Sequence, residues 1–381
     1  MSLYAPEDFE GFSESSKTTW VPIANSILHI AIDLTEFQCV IAFIGVIANL
    51  FHLIVLSRKS IPKTSVNVIM IGIGVCDLFN MGFNGYDTLV ALVETSDKCR
   101  PPASYLWKVI GFWASALEDH SRRLSSLFGV LMASTRYLVI RNALNPKFDI
   151  FSKPKFALIT MLIAFLFSTF LTLYFWSRYR FVEVKPWNPP IECQGFPIGY
   201  TAPQYKSSLE DIYLIELTLG LQIFSVVDGL FKIIPTIMFP ILTFLLVKEL
   251  KKAASSRKRM STETKEEHSK TDQTTKLVAL MAIFYIIAEG PIGILFVIQG
   301  IITKPFGIVE MTVNLIDIFG TFFSMNAIMH CVICLAVSSQ YQKAAKQTFC
   351  FGRWSKRTSP LSKPSVSTDP TARKATVKNE T

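Results

Sequence analysis

The chain has 381 residues, half of them apolar, and only 18% are charged, whereas ordinary soluble domains carry roughly 25% charged residues. So few charged residues cannot coat the two cores that a soluble chain of this length would need, and 18 glycines and seven cysteines exclude the collagen-like and disulfide-scaffold classes. The composition indicates a polytopic membrane protein, and we assign the net charge of +9 to a membrane surface rather than to nucleic acid.

Six apolar segments are long enough to cross a bilayer, which requires about 20 mostly apolar residues. In chain order they are Phe37–Ser57, Val66–Val93, Phe156–Trp176, Phe224–Val247, Leu277–Gln299 and Ile308–Ser338. Each is predicted to be helical, because backbone N–H and C=O groups have no other partners in lipid. A β-barrel is excluded, since its strands alternate apolar and polar residues and these segments do not.

A seventh span is predicted at Ile110–Val139, although charged and polar side chains interrupt its middle. These are Glu118, Asp119, His120, Arg122 and Arg123. By hydropathy alone this stretch would not be assigned as a transmembrane helix, but the distribution of basic residues requires a seventh span here. With seven spans, 26 of the 38 Lys and Arg residues fall on one side of the membrane, as the positive-inside rule expects. We therefore predict an all-α membrane protein, a bundle of seven transmembrane helices.

The predicted organisation has four parts. Residues 1–36 form an extracellular N-terminal segment with six acids, one Lys and no signal-peptide pattern. Residues 37–338 form the bundle. Residues 339–350 form a short amphipathic helix 8 in the headgroup layer, with Tyr341, Ala344, Ala345, Thr348 and Phe349 on one side. Residues 351–381 form a disordered cytoplasmic tail, and the inner loop 250–276 is also predicted to be flexible because both are rich in Lys, Ser and Thr.

Several motifs occur in an order that resembles the rhodopsin-like G-protein-coupled receptors. They are Gly45-Val-Ile-Ala-Asn49 in helix one, Asp77 in helix two, Thr135-Arg136-Tyr137 in helix three, Pro235 in helix five and Pro291 in helix six. Two departures narrow the match: Ala288-Glu289-Gly290-Pro291 in helix six, and Asn326-Ala-Ile-Met-His330 in helix seven. These resemble the nematode serpentine receptors of class W and the FMRFamide- and myosuppressin-type neuropeptide receptors. The resemblance covers about residues 35–350.

The resemblance implies a receptor at the plasma membrane rather than an enzyme, with an extracellular N-terminus, a cytoplasmic C-terminus and a heterotrimeric G protein as partner. The expected G-protein contacts are Arg136, Tyr137, Lys248 and Lys276. The alternative for Arg136 is that its side chain extends to lipid phosphates.

Three cysteines are predicted to have a role outside the bundle interior. Cys99 and Cys193 are the cysteines on the predicted outer side, where the oxidising environment favours a disulfide between them. Cys350 at the end of helix 8 is either a palmitoylation site or a free thiol. Within the spans, Cys331-x-x-Cys334 is interpreted as packing rather than as a redox or metal motif.

Charged groups at membrane depth usually face an interior and pair with one another. Glu118 and Arg122 are four residues apart and therefore share a helix face, and Asp119 and Arg123 form a second such pair. We predict that these four residues line a polar ligand pocket in the outer half of the bundle, together with Glu289 and Asp317. There, Glu118 can receive a ligand cation, and Arg122 or Arg123 a carboxylate or amide oxygen. The alternative is an internally paired network that only fixes helix packing.

A second polar cluster is expected around Asp77. In the resemblance, Asn49, Asp77, Ser125 and Asn326 line a core that binds sodium, because their oxygens suit a hard cation. The alternative is a hydrogen-bonded cluster with Asp77 protonated, and His330 weakens the sodium interpretation because an imidazolium competes with Na⁺. No other cofactor is expected.

The ligand class is left open between two kinds of molecule. The acidic N-terminal segment and the long outer loop 177–223 favour a neuropeptide, such as a cationic Arg-Phe-amide, and the alternative is a small environmental chemical. A transporter or channel would need repeated halves with matching broken helices, and the sequence has no such pair. A non-signalling scaffold leaves the charges within the membrane unexplained. The expected partners are therefore the ligand, a G protein and membrane lipid, without nucleic acid.

Overall fold

The computed structural model describes residues 3–97, 99–209, 217–260 and 265–349. Within these ranges the chain forms eight α-helices, one β-hairpin and two short 3₁₀ helices, Pro6–Phe9 and Pro146–Ser152. The regular elements are α1 (Glu14–Leu56), α2 (Ser65–Ser96), α3 (Tyr105–Arg141), α4 (Pro154–Trp176), β1 (Tyr179–Trp187), β2 (Ala202–Leu209), α5 (Leu217–Met260), α6 (Lys265–Ile301), α7 (Phe306–Val337) and α8 (Ser339–Phe349).

Six of these helices (α1, α2, α4, α5, α6 and α7) contain a window that is long and apolar enough to cross a membrane. α3 is the seventh helix of the bundle. It is continuous over 37 residues and packs against α2, α4 and α5. Its polar residues face the interior, where Arg123 is only 1% exposed. This confirms the predicted seven-helix membrane bundle.

The bundle has two ends, which we call the hairpin end and the α8 end. At the hairpin end, β1 and β2 pair antiparallel from Tyr179 opposite Leu209 to Trp187 opposite Ala202. The sequence analysis expected only helices and a loop there. The hairpin packs on the bundle through aromatic rings: the Phe112 ring on α3 lies 5.3 Å from that of Tyr179 and 5.5 Å from that of Phe181.

A disulfide joins the hairpin to the connection between α2 and α3. Cys99 is bonded to Cys193, with their Cα atoms 5.4 Å apart. The predicted disulfide is therefore confirmed, and it ties the loop between the two strands to the start of α3.

The N-terminal segment is ordered against the bundle. α1 begins at Glu14, well before the predicted span at Phe37, because the Ser13 hydroxyl caps the helix by accepting a hydrogen bond from the Ser16 backbone N–H. Phe9 is fully buried against α1 and α7. The Asn314 side chain on α7 donates a 2.6 Å hydrogen bond to the Tyr4 hydroxyl.

α5 and α6 extend through most of the segment that was predicted to be a flexible loop. α5 continues to Met260 and α6 starts at Lys265, because Lys, Arg, Glu and Ala favour helix beyond the membrane boundary. Nearer the hairpin end, the two helices approach backbone to backbone. A Cβ atom on Gly229 would lie 2.7 Å from the Gly293 carbonyl oxygen, closer than real Cβ contacts.

At the α8 end, the predicted amphipathic helix is confirmed as α8. Tyr341, Ala344, Ala345 and Thr348 are its buried residues. The Tyr341 hydroxyl is 2.8 Å from Nδ1 of His52 on α1, and the Phe349 ring stacks on that of Phe51 at 4.5 Å. Cys350 and residues 351–381 lie outside the described residues, so the predicted palmitoylation site and the disordered tail stay predictions.

Candidate functional site

An ion pair links α3 to α6 in the bundle interior. Arg122 Nε donates a 3.2 Å hydrogen bond to Oε1 of Glu289. The Arg122 guanidinium also lies 4.6 Å from the ring centroid of Phe323 on α7. Glu289 is fully buried. Arg122 also interacts electrostatically with Glu118 on its own helix, as their spacing suggests, but its direct ion pair is with the carboxylate of the neighbouring helix.

This ion pair leaves one hydrogen-bond donor and one acceptor free. Nη2 of Arg122 and Oε2 of Glu289 are buried and have no hydrogen-bond partner among the described residues. A buried polar atom without a partner costs roughly 1–3 kcal/mol. The pair can therefore gain stability from a group that offers both an acceptor to Arg122 and a donor to Glu289, and an amide group does so.

Two further carboxylates lie on the same side of α3. The Asn84 side chain on α2 donates a 3.2 Å hydrogen bond to Oε1 of Glu118. Asp317 on α7 is exposed and interacts electrostatically with Arg122. The structure thus brings Glu118, Arg122, Glu289 and Asp317 to the face of α3 toward α2, α6 and α7.

A separate ion network occupies a neighbouring face of α3, about 100° further around the helix. Arg123 Nη2 lies 3.5 Å from Oδ2 of Asp119 and 2.6 Å from Oδ1 of Asp228 on α5. Asp228 also accepts a hydrogen bond from Lys232, whose Nζ lies 4.2 Å from the ring centroid of Phe296 on α6. Two acids and two bases balance here, which favours the packing interpretation for Asp119 and Arg123.

The sequence analysis missed Asp228 and Lys232. Both lie in a span that was assigned on its apolar content, and their spacing of four residues is the signal that could have revealed them. On α4, Ser168 and Thr172 complete the network by accepting hydrogen bonds of 3.2 and 3.0 Å from Nη1 of Arg123.

The polar core around Asp77 forms, but without Asn49. The Ser125 hydroxyl donates a 2.6 Å hydrogen bond to Oδ1 of Asp77, and both line a cavity of about 20 Å³ with Asn326 and His330. The Asn49 amide instead donates to the Gly45 carbonyl of its own helix at 3.0 Å, because an i to i−4 bond is within its reach.

The cavity beside Asp77 fits one small occupant. Its volume suffices for a single water-sized particle. Oδ2 of Asp77 and Oδ1 of Asn326 are buried acceptors without a partner among the described residues. Carboxylate and amide oxygens are suitable ligands for Na⁺. His330 lines the same cavity, and a protonated imidazole there would compete with the ion.

At the α8 end, Arg136 lies in a cavity of about 50 Å³ together with His330 and Cys334. Its Nη2 donates to the Met70 sulfur at 3.5 Å, and among the side chains that the structure describes no carboxylate pairs with it. The Tyr137 hydroxyl accepts a hydrogen bond from Arg141, and Lys248 is exposed on α5. The side chain of Lys276 is not among those that the structure describes, so its predicted contact stays a prediction.

At the hairpin end, α2 and α3 enclose a cavity of about 880 Å³, which we call the hairpin cleft. An ion pair of 3.6 Å between Lys108 and Glu94 links the two helices beside it. The sequence analysis did not anticipate this cleft. Its lining residues are Tyr86, Asp87, Leu89, Val90, Val93, Glu94, Asp97, Arg100, Pro101, Pro102, Ala103, Trp107, Lys108, Gly111, Phe112, Trp187, Gln204 and Tyr205.

Two comparisons with known proteins match most of the chain. The family described as serpentine type 7TM GPCR chemoreceptor Srw matches residues 36–352. The G-protein coupled receptor dmsr-1 of Caenorhabditis elegans is 22% identical over 352 aligned positions, which cover 83% of this chain and 67% of that receptor. The family match begins within α1 and includes the six other helices of the bundle and α8.

Proposed function

Because the chain belongs to the Srw family of serpentine seven-transmembrane G-protein-coupled chemoreceptors, we propose that it is a neuropeptide receptor whose ligand reaches the Arg122–Glu289 pair from the hairpin end. The chain is a multi-pass membrane receptor and not an enzyme, and its partners are an extracellular ligand and a G protein. Family membership decides against the transporter or channel alternative.

We place the hairpin end outside the cell, at the plasma membrane. The disulfide between Cys99 and Cys193 lies at that end, and disulfides persist in oxidising compartments. Most of the Lys and Arg residues belong to the opposite side, which supports a cytoplasmic α8 end. A tag at each terminus tests this placement: on intact cells, an antibody should reach the N-terminal tag and should not reach the C-terminal tag.

The observation that supports a peptide ligand is the free donor and free acceptor of the Arg122–Glu289 pair. A peptide amide or a C-terminal carboxamide offers a carbonyl oxygen to Arg122 Nη2 and an N–H to Glu289 Oε2. The carboxylates of Glu118 and Asp317 add negative charge on the same side of α3, which favours a ligand that also carries a cation.

Ligand binding at this pair would act directly on α6. Pro291 follows Glu289 by two residues and lies inside α6, where proline permits a bend. A ligand that bridges Arg122 and Glu289 would favour the state in which α6 moves away from α3 at the α8 end. That movement would expose Arg136, and Tyr137, Lys248 and Lys276 would complete the contact with the G protein.

A small environmental molecule is the second candidate ligand. The matching family is described as chemoreceptors, and the free atoms of the Arg122–Glu289 pair can also accept a small polar molecule. A neuropeptide and a small molecule should both lose potency when Arg122 or Glu289 is replaced. Only a screen of both kinds of ligand can therefore distinguish the two candidates.

The test is expression in cells that carry promiscuous G proteins, with a screen against a neuropeptide library and against soluble and volatile odorants. For any activating ligand, Arg122→Gln and Glu289→Gln should each raise the half-maximal concentration by about 10- to 100-fold, as loss of a hydrogen bond to a charged group does. The control is Glu14→Gln, the same change at the exposed start of α1. Unchanged potency in both variants, at equal surface expression, would contradict this ligand site.

A further inference from the structure

We propose that the hairpin cleft binds an organic cation with an apolar or aromatic body, and that Asp87 holds the positive charge. This inference rests on the proposed receptor function and adds a ligand class and a second contact region to it. The cleft has a volume of about 880 Å³, within the range of about 300–1,000 Å³ that is typical of ligand sites. It is therefore large enough for a ligand group of several rings.

The walls of the cleft are aromatic. Trp107 and Phe112 line it from α3, and Trp187 and Tyr205 line it from the hairpin. The disulfide between Cys99 and Cys193 fixes the hairpin above it. Aromatic faces bind both apolar groups and cations, so these walls suit the body of an organic cation.

Asp87 supplies a carboxylate that no cation neutralises among the described residues. Its Oδ2 accepts a 2.8 Å hydrogen bond from the Ser115 hydroxyl, which is a neutral donor. Two basic residues line the cleft: Lys108 is paired with Glu94 at 3.6 Å, and Arg100 is exposed and forms no ion pair with Asp87. The negative charge of Asp87 is therefore available to a ligand.

A second carboxylate increases the negative potential at this point. Glu118 interacts electrostatically with Asp87 and, on its other side, with Arg122, whose direct ion pair is with Glu289, and its own hydrogen-bond donor is the neutral Asn84 side chain. Two carboxylates that repel each other in a region of low dielectric constant are stabilised by a cation between or beside them. The chemistry at the base of the cleft thus favours an ammonium or guanidinium group.

Gly111 marks the open space that the body of the ligand would fill. It lines the cleft from α3, and a Cβ atom at this position would meet no atom within 4 Å. A side chain can therefore be placed here without displacing a neighbour. Ile198, in the connection between β1 and β2, is fully exposed and does not line the cleft, so a cysteine at that position serves as the control.

The test measures thiol labelling and needs neither a known ligand nor a G protein. In intact cells, Gly111→Cys is treated with two membrane-impermeant methanethiosulfonates, one carrying a trimethylammonium group and one a sulfonate. After correction for their rates with a free thiol, we expect the cationic reagent to react at least about tenfold faster, because three carboxylates and two bases line the cleft and Asp87 has no cationic partner among the described residues. Asp87→Asn in the same background should remove most of this preference, whereas Ile198→Cys should show none.

A protection experiment tests the ligand class. Phenethylammonium should slow the labelling of Gly111→Cys, and 3-phenylpropionate, which has a similar body with a negative charge, should not. Val90→Cys on the opposite wall repeats the measurement if Gly111→Cys does not reach the surface.

Three results would overturn the proposal: no labelling from outside, equal rates for the two reagents, or a cation preference that survives Asp87→Asn. A receptor that fails to couple to any G protein would still show the labelling pattern. Conversely, a cleft that is not labelled would leave the effects of Arg122→Gln and Glu289→Gln on signalling intact, so the two failures are distinguishable.

Discussion

Arg123 on α3 places Nε 2.7 Å and Nη2 2.6 Å from the same oxygen, Oδ1 of Asp228 on α5. The other oxygen of Asp228 accepts a hydrogen bond from Lys232. One carboxylate therefore contacts two buried cations on two helices, and Asp119, 3.5 Å from Arg123, balances the remaining charge. This arrangement makes Asp228 the residue on which the network depends.

We expect Asp228→Asn to destabilise the receptor by about 3–5 kcal/mol, because removing one partner of a buried ion pair leaves a buried charge uncompensated. Lys232→Met should cost much less, since Asp228 then keeps its pair with Arg123. The measurement is thermal unfolding of the purified receptor in detergent, with and without each substitution. Equal losses for the two variants would show that the carboxylate is not shared in this way.

Arg136 is held by a methionine sulfur rather than by a carboxylate. A thioether is a weak acceptor, so the interaction opposes release of Arg136 only slightly, and we expect measurable signalling without ligand. Met70→Glu should lower this basal signal several-fold by adding a charged partner, whereas Met70→Gln, of similar size, should not. Basal G-protein activation in membranes, normalised to surface expression, checks this. A fall in both variants would point to a packing effect instead.

The N-terminal segment depends on the absence of a side chain at Gly307. A Cβ atom there would lie 2.8 Å from Cζ of Phe9 and 3.0 Å from the Asp8 carbonyl oxygen. Gly307→Ala should therefore displace the segment from α7. The control is Gly320→Ala in the same helix, where the nearest atom is Nε2 of Gln38 at 3.9 Å. A fluorophore on Leu3→Cys should lose anisotropy in the first variant and keep it in the second.

The same segment should be released at high pH through Tyr4. Burial and the charge of Glu310 raise the pKa of Tyr4 from 10 to about 12, although the hydrogen bond with Asn314 opposes the shift. A raised pKa means that the docked segment favours the neutral phenol. Docking is thus at full strength below pH 10 and weakens as the pH rises from 10 to about 12. Anisotropy of the Leu3→Cys label follows this loss, which Tyr4→Phe should abolish.

The cavity beside Asp77 predicts a specific effect of sodium. In NaCl the receptor should unfold at a temperature higher by about 2 °C or more than in choline chloride of equal ionic strength, because an ion that binds only the folded state stabilises it. Asp77→Asn should remove the difference. If the native receptor unfolds at the same temperature in both salts, the cluster is a hydrogen-bonded one with Asp77 protonated.

The features that follow from local patterns could be predicted from the sequence. α8 is an example, because its buried positions Tyr341, Ala344, Ala345 and Thr348 repeat at helical spacing. Hydropathy alone does not identify α3 as a transmembrane helix, because charged residues interrupt it. The distribution of Lys and Arg along the chain identifies it instead.

The partners of the interior charges could not be predicted in the same way. Spacing places Glu118 and Arg122 on one helix face, but Arg122 pairs with Glu289, which is 167 residues away. The packing of α3 against α6 decides which carboxylate lies nearest to Arg122. The distance between these two helices cannot be read from a single sequence. The hairpin was missed for a related reason, since its strands are stabilised by aromatic contacts with α3 such as that of Phe181 with Phe112.

α1 has a consequence for how this receptor can be imaged. Its 43 residues span about 65 Å at 1.5 Å per residue, about twice the thickness of the hydrocarbon layer, roughly 30 Å. In a nanodisc, the Glu14 end of the helix would stand clear of the lipid together with the hairpin. Because Phe9 packs this end of α1 against α7, the end forms a rigid extension that can help to orient single particles in electron cryo-microscopy.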